Sequence, residues 1–163
     1  MIKLRYRVVV FLLVMGLAAL ADQGVKAAMV ERLAGSGPVA LAPVLNLRLG
    51  YNTGVSFSMF AETFREAPWL LAAIKIGIVA VIAGFAVRTD RRLDTLAFGL
   101  IAGGATGNII DRFRIGAVVD YIDLFYAGWH WPTFNLADAL IFLGVALLLA
   151  GAMFAPRRRR IAP

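Results

Sequence analysis

The chain has 163 residues, of which 61% are hydrophobic, and a mean hydropathy of +0.79, too apolar for a water-soluble domain of this size. Its formal charge of +7 does not mark a nucleic-acid binder, because most of the Lys and Arg fall in three short clusters, Lys3-Arg5-Arg7, Arg88-Arg91-Arg92 and Arg157 to Arg160. With no cysteine, the chain excludes disulfides, thiol nucleophiles, thiolate metal sites and a cysteine-borne lipid anchor of its own.

The first apolar run, Val8 to Ala21, follows three basic residues and ends in Ala19-Leu20-Ala21, a sequence that a cleavable signal peptide would also show. Three further apolar stretches follow, Trp69 to Val87, Thr95 to Ile110 and Leu136 to Ala155. Losing the first would leave an odd number, so it is read as a retained span. A membrane-crossing helix needs about 20 residues, which extends the short runs through the polar residues at their ends. The expected architecture is therefore an all-α integral membrane domain covering residues 1–163, with four transmembrane helices at about 8–28, 69–87, 95–112 and 136–155. Because basic clusters stay on the cytoplasmic side, both termini are expected inside, with segments 29–68 and 113–135 outside.

Within the first outer segment, Gly35-Ser36-Gly37-Pro38 reads as a loop. Leu45, Leu47, Leu49 and Tyr51 then alternate with polar or small residues, as do Val55, Phe57 and Met59, predicting a small strand pair with a turn near Asn52-Thr53-Gly54. Residues 59–68 mix aromatic and charged side chains as an interfacial helix would. In the second span, Lys75 is explained by snorkelling to the outer interface. In the third, Gly103-Gly104-Ala105-Thr106-Gly107 is a close-packing surface, since no Lys-Ser/Thr follows to make a phosphate loop. The second outer segment holds Tyr126, Trp129, His130 and Trp131, an aromatic group suited to the headgroup level, and the single histidine is read as part of it.

At 1.5 Å per residue, Asp22, Asn108, Asp111 and Asp138 all lie just beneath the outer surface, and Asp120 can fold back to that level. An ionisable side chain inside a span costs roughly 2.5 to 3.5 kcal/mol, so several at one depth need a compensating reason. Taken one by one they have structural readings: Asp22 paired with Lys26 at i+4, Asp111 neutralised by Arg112, and Asn135 capping the last helix with Asp138 at its third position. As a set they suggest a reaction centre. Two neighbouring carboxylates resist joint ionisation and can divide the work of general base and general acid. Two rivals remain on residue types alone. Asp111, Asp120, Asp123 and Asp138 could hold a divalent metal for phosphoryl transfer, and a small ion-coupled transporter would also carry polar residues in its spans. The transporter fits less well, since the polar set lies at one edge and no repeat is visible.

Five ordered motifs make the pattern specific: Asp22-Gln23 with Lys26; Tyr51-Asn52-Thr53-Gly54-Val55-Ser56-Phe57; Gly103 to Arg112; Val118-Val119-Asp120; and Phe134-Asn135-Leu136-Ala137-Asp138-Ala139. In order and spacing they resemble the lipoprotein signal peptidases, the type II signal peptidases of bacteria, over essentially the whole chain. The resemblance implies an aspartic endopeptidase that removes the signal peptide before a diacylglyceryl-modified cysteine, without metal or other cofactor. It implies Asp120 and Asp138 as the catalytic pair, with Asp22, Lys26, Asn52, Gly54, Asn108, Asp111, Arg112 and Asn135 supporting the site or the substrate. The expected setting is the bacterial cytoplasmic (inner) membrane, with diacylglyceryl-prolipoproteins and membrane lipid as partners, no nucleic acid, and a monomeric enzyme. The turn at Asn52 to Gly54 is expected to cradle substrate, with Asn52 donating to a peptide carbonyl, while Asp123, outside the matching motifs, is expected to face the surface.

Overall fold

The structure, a computed structural model, describes residues 2–53 and 68–154. In chain order the elements are α1 (Ile2–Leu33), β1 (Val39–Ala42), β2 (Leu45–Asn52), α2 (Pro68–Arg88), α3 (Arg92–Ile115), β3 (Val118–Tyr126), β4 (Trp129–His130) and α4 (Leu136–Met153). Three of the helices, over Leu4–Leu33, Arg92–Ile115 and Leu136–Met153, are long and apolar enough to cross a membrane, with mean hydropathies of 2.1, 1.3 and 2.3. α2 adds a helix of 21 residues packed beside α3. α1 runs without a break through Ala19-Leu20-Ala21. At 1.5 Å per residue it is about 48 Å long, more than the roughly 30 Å that crossing a bilayer's hydrocarbon requires.

Leu12, Leu13, Leu17 and Leu20 of α1, Ile78, Val81 and Phe85 of α2, and Phe142 and Leu149 of α4 are exposed, which is the expected outward face of helices solvated by lipid. With no hydrophobic drive between helices in lipid, close backbone approach has to supply the packing. α3 does this as the central helix, touching the other three. A methyl group at Gly99 would come within 2.8 Å of Val14 on α1, and one at Gly144 of α4 within 2.7 Å of the Ala97 carbonyl. At Gly103, Gly104 and Gly107 it would collide with Ala18, the Ala137 carbonyl and the Asp22 carboxylate. The glycine run is thus the packing surface the sequence suggested, and it draws Asn108 and Asp111 against α1 and α4.

α3 stops at Gly116, whose φ of +73° suits a residue without a Cβ and lets its N–H reach the Arg112 carbonyl at 3.1 Å. The chain then enters a four-stranded antiparallel sheet of order β1-β2-β3-β4. β2 spans the alternating run at 45–52, as expected, but its long partner is β3, with Gly50 opposite Asp120 and Asn52 opposite Val118. Segment 113–135 is therefore not a plain connection, and the β layer exceeds the two strands expected. β3 turns into β4 at Ala127-Gly128, where positive φ values of 48° and 81° give a tight turn matched to strand twist. The second strand expected at 55–59, Gly54 and all but the last residue of the interfacial helix expected at 59–68 lie outside the described residues; Pro68 itself begins α2.

Candidate active site

Asp120 projects from β3 and Asp138 from the first turn of α4, and both line one cavity of 310 Å³ together with Asn52, Asn108, Arg112 and Thr133. Each carboxylate is gripped by side-chain amides. Asp120 Oδ1 accepts from Asn135 Nδ2 at 2.7 Å and its Oδ2 from Asn52 Nδ2 at 3.1 Å. Asp138 Oδ1 accepts from Asn108 Nδ2 at 2.9 Å, and its Oδ2 accepts from the Asn135 backbone N–H at 3.3 Å. Asn135 Oδ1 in turn accepts from the Asp138 N–H at 3.1 Å, completing a capping box at the start of α4. The cap read as a structural alternative is present, and it is also what joins the two carboxylates: fully buried Asn135 touches both.

A buried ion-pair set lies under this layer. Lys26 Nζ is 2.7 Å from Asp22 Oδ2 and 2.7 Å from Asp111 Oδ2, and donates to Asn108 Oδ1 at 2.8 Å. Since Lys26 fixes the Asn108 oxygen, the amide nitrogen is left pointing at Asp138. Asp22 Oδ1 accepts from the Ala137 N–H at 2.9 Å, tying α1 to the first turn of α4, and Asp111 Oδ2 accepts from the Val119 N–H at 3.2 Å, tying α3 to β3. The i+4 pairing of Asp22 is thus real. Asp111, however, takes Lys26 as its ion-pair partner and Gln23 as a 2.7 Å donor, not Arg112. Arg112 donates to the Asn108 carbonyl at 3.1 Å and borders the cavity, while its buried Nε meets no acceptor among the described residues.

Burial pushes the Asp120 carboxyl above the usual carboxylate range; the hydrogen bond from Asn52 works against this, and the nearby Asp138 charge works with it. Tyr121, buried beside the site with its hydroxyl oxygen accepting from the Leu136 N–H, is pushed up to about 12 by burial and remains a neutral phenol.

One expectation needs correction. Asp123 does not face the surface: it is 1% exposed, accepts from Asn46 at 3.4 Å, and pairs with His130 Nδ1 at 2.8 Å. That hydrogen bond from His130 holds its carboxyl below the usual range. His130 is accordingly a latch between β3 and β4, stacked on Phe125 with ring centroids 5.4 Å apart. Lys75 reaches the same cavity that holds both carboxylates. The four carboxylates of the metal reading do not converge, since Asp111 is spent on Lys26 and Asp123 on His130. Among the described residues no three acidic or histidine side chains form a metal-binding group.

Of the cavity wall contributed by Trp131, Pro132, Thr133 and Phe134, the sequence marked Trp131 only as an interfacial aromatic and Phe134 only as the start of the last motif, and Pro132 and Thr133 carried no signal. The bridge from Phe134 to Ile122 places it there, with Ile122 N–H donating to the Phe134 carbonyl at 2.8 Å.

Two amide-held carboxylates in one cavity, at the end of a bundle with membrane-capable helices, are the groups a membrane-embedded aspartic hydrolase would need. A family model described as signal peptidase (SPase) II matches residues 14–154. The chain is 38% identical over 153 residues to a lipoprotein signal peptidase of Methylobacterium sp. (strain 4-46), covering 90% of this chain and 93% of that protein. It is 40% identical over 130 residues to one of Cronobacter sakazakii (strain ATCC BAA-894), covering 78% and 79%. A solved bacterial membrane enzyme superposes with a TM-score of 0.71 at 25% identity over 90% of this chain and 94% of that one. A second shares the fold with a TM-score of 0.75 at 23% identity, covering 94% and 93%. The chain belongs to the signal peptidase II family.

Proposed function

We propose that this protein removes the signal peptide from diacylglyceryl-modified prolipoproteins, cutting before the lipidated cysteine, with Asp120 and Asp138 as its catalytic pair. The observation that carries the reading is the single cavity shared by two carboxylates that are each oriented by side-chain amides. One carboxylate takes a proton from a water whose oxygen adds to the scissile carbonyl carbon. Its protonated partner gives a proton to the carbonyl oxygen, forming a gem-diol; the first carboxyl then protonates the departing amine as the C–N bond breaks, while a diol hydroxyl returns its proton to the second carboxylate, so the pair again holds one proton. Asn52, Asn108 and Asn135 orient the pair; Asp22, Lys26 and Asp111 form the buried frame that fixes Asn108, whose oxygen also accepts from Asn135 at 3.1 Å. Arg112 brings positive charge to the wall, where it can meet a carbonyl oxygen that gains charge.

The proposed setting is the bacterial inner membrane, crossed four times by a monomer in one domain. The 21 residues of α2, about 31 Å, match the hydrocarbon thickness, and α2 exposes the same kind of apolar face as the other three helices. The basic residues at the start of α1 and around the α2–α3 turn meet at one end: Arg7 pairs with Asp90, and Arg91 donates to the Gly151 carbonyl at 2.8 Å. The carboxylate pair lies toward the other. By the positive-inside rule the basic end and both termini face the cytoplasm and the site opens near the outer surface. There a second cavity of 470 Å³, lined by Arg48, Tyr51, Asn52, His130 and Trp131, also reaches Asp120 and offers a path for the peptide. Gly54, two residues beyond Asn52 in the sequence, is proposed to let the substrate backbone approach.

The experiment is incubation of purified protein with a lipidated prolipoprotein and with its unlipidated form, with product masses read directly. Cleavage of the lipidated form alone, before the modified cysteine, is expected. Equal cleavage of both, or no cleavage of either by folded protein, would refute the reading.

A further inference from the structure

A groove of 610 Å³, larger than the cavity at the carboxylate pair, lies at the opposite end of the bundle, between the second turn of α1 and the start of α3. Tyr6, Arg7 and Val10 form one wall, and Arg92, Thr95 and Leu96, with Asp90 from the α2–α3 turn, form the other. Its chemistry is two-sided. Arg92 carries its guanidinium 5.7 Å over the Tyr6 ring and has no carboxylate partner among the described residues. Arg7, whose side chain is 19% exposed, reaches across to Asp90, whose side chain is 86% exposed. Val10 and Leu96 give the apolar part, and Val9, Leu12 and Leu93, their neighbours along α1 and α3, are exposed apolar side chains.

We infer that this groove is a binding site for one anionic phospholipid, its phosphate held between Arg7 and Arg92 and an acyl chain lying along Val10 and Leu96. Charge complementarity selects the headgroup: two guanidiniums face a single carboxylate, which leaves one positive charge for a phosphate. The apolar wall selects a lipid over a free anion, since a soluble phosphate would leave Val10 and Leu96 facing water. Asp90 competes for Arg7 and so tunes the affinity. The bound lipid would clamp α1, the helix that carries Asp22 and Lys26, to the α2–α3 turn. A basic pocket between helices at the membrane surface contributes about 1 kcal/mol per Lys or Arg toward an anionic lipid, which is about a fivefold change in affinity for each.

The test titrates purified protein in neutral detergent with dioleoylphosphatidylglycerol or dioleoylphosphatidylcholine and counts bound lipid by native mass spectrometry. One phosphatidylglycerol is expected to bind at least fivefold more tightly than phosphatidylcholine. Arg92→Gln and Arg7→Gln should each weaken it about fivefold, Asp90→Asn should tighten it, and Arg5→Gln, exposed nearby but off the groove wall, should leave it unchanged. Equal binding of the two lipids, or an equal loss in Arg5→Gln, would reduce the effect to diffuse attraction and overturn the site. Displacement of the lipid by glycerol 3-phosphate would overturn the lipid in favour of a free anion, and an Asp90→Asn protein that binds no more tightly would overturn the seat at Arg7. Should Arg7→Gln fail to fold, Arg92→Gln and Asp90→Asn carry the test.

Discussion

Replacing Lys26 with Met tests the frame beneath the site. Lys26 is 3% exposed and makes two ion pairs of 2.7 Å, with Asp22 at 0% and Asp111 at 6% side-chain exposure. Neither carboxylate can turn to water once the ammonium is gone. Removing one partner of a buried pair costs about 3–5 kcal/mol, because the charge left behind is uncompensated. Asp22 would keep the Ala137 N–H, and Asp111 would keep the Val119 N–H and Gln23, which places the expected loss toward the lower end, about 3 kcal/mol. For a chain of this size that is a fall of about 6–12 °C in the unfolding midpoint, measurable by circular dichroism of the purified protein in detergent. Combining Lys26→Met with Asp22→Asn should recover about 1 kcal/mol or more, since one stranded charge is removed. Turnover should fall as well, because Asn108 loses the donor that keeps its nitrogen on Asp138. A Lys26→Met protein with an unchanged midpoint would refute the assignment of Lys26 as the centre of the frame.

Asn52→Ala removes a hydrogen bond to a charged carboxylate, about 1.5–3 kcal/mol, and should lower kcat between about tenfold and 150-fold. Because that bond favours ionised Asp120 against the upward push of burial, its loss should also move the pH–rate profile to higher pH; an unmoved profile would count against it. Asp123→Asn should keep cleaving, since Asp123 is turned to His130 and not to the cavity. Its depressed carboxyl contributes stability that is present above the ordinary carboxylate range and lost as pH falls through its folded value, so the variant should show a flatter loss of stability in acid. Inactivity of a folded Asp123→Asn protein would revive a metal role. For topology, Ser36→Cys in intact cells should react with an impermeant thiol reagent and Thr89→Cys should not; labelling at Thr89 would invert the orientation.

Much of the site was legible because depth in a span can be counted. Asp22, Asn108, Asp111 and Asp138 fall at one level at 1.5 Å per residue, and the glycines between residues 103 and 107 mark the helix face that brings them together. The alternation at 45–52 likewise announced β2. What joins β2 to β3 lies some seventy residues apart in sequence, and nothing local in Val118 to Tyr126 names that partner. The burial of Asp123 follows from this pairing, since Asn46, which hydrogen-bonds it, is its register partner across the two strands. The choice of Lys26 over Arg112 for Asp111 was hidden for a related reason: Arg112 is next to Asp111 in sequence, whereas Lys26 reaches it across the packed α1–α3 interface.

The central claim is that Asp120 and Asp138 act as one unit, and the most direct measurement is the product mass from a lipidated prolipoprotein treated with Asp120→Asn, Asp138→Asn and the double variant. Each keeps an isosteric side chain, so circular dichroism in detergent should report folded protein in all three. The account predicts no cleaved product from any of them, with the double variant no worse than either single one because the two groups share one task. Substantial turnover by either folded single variant would contradict it.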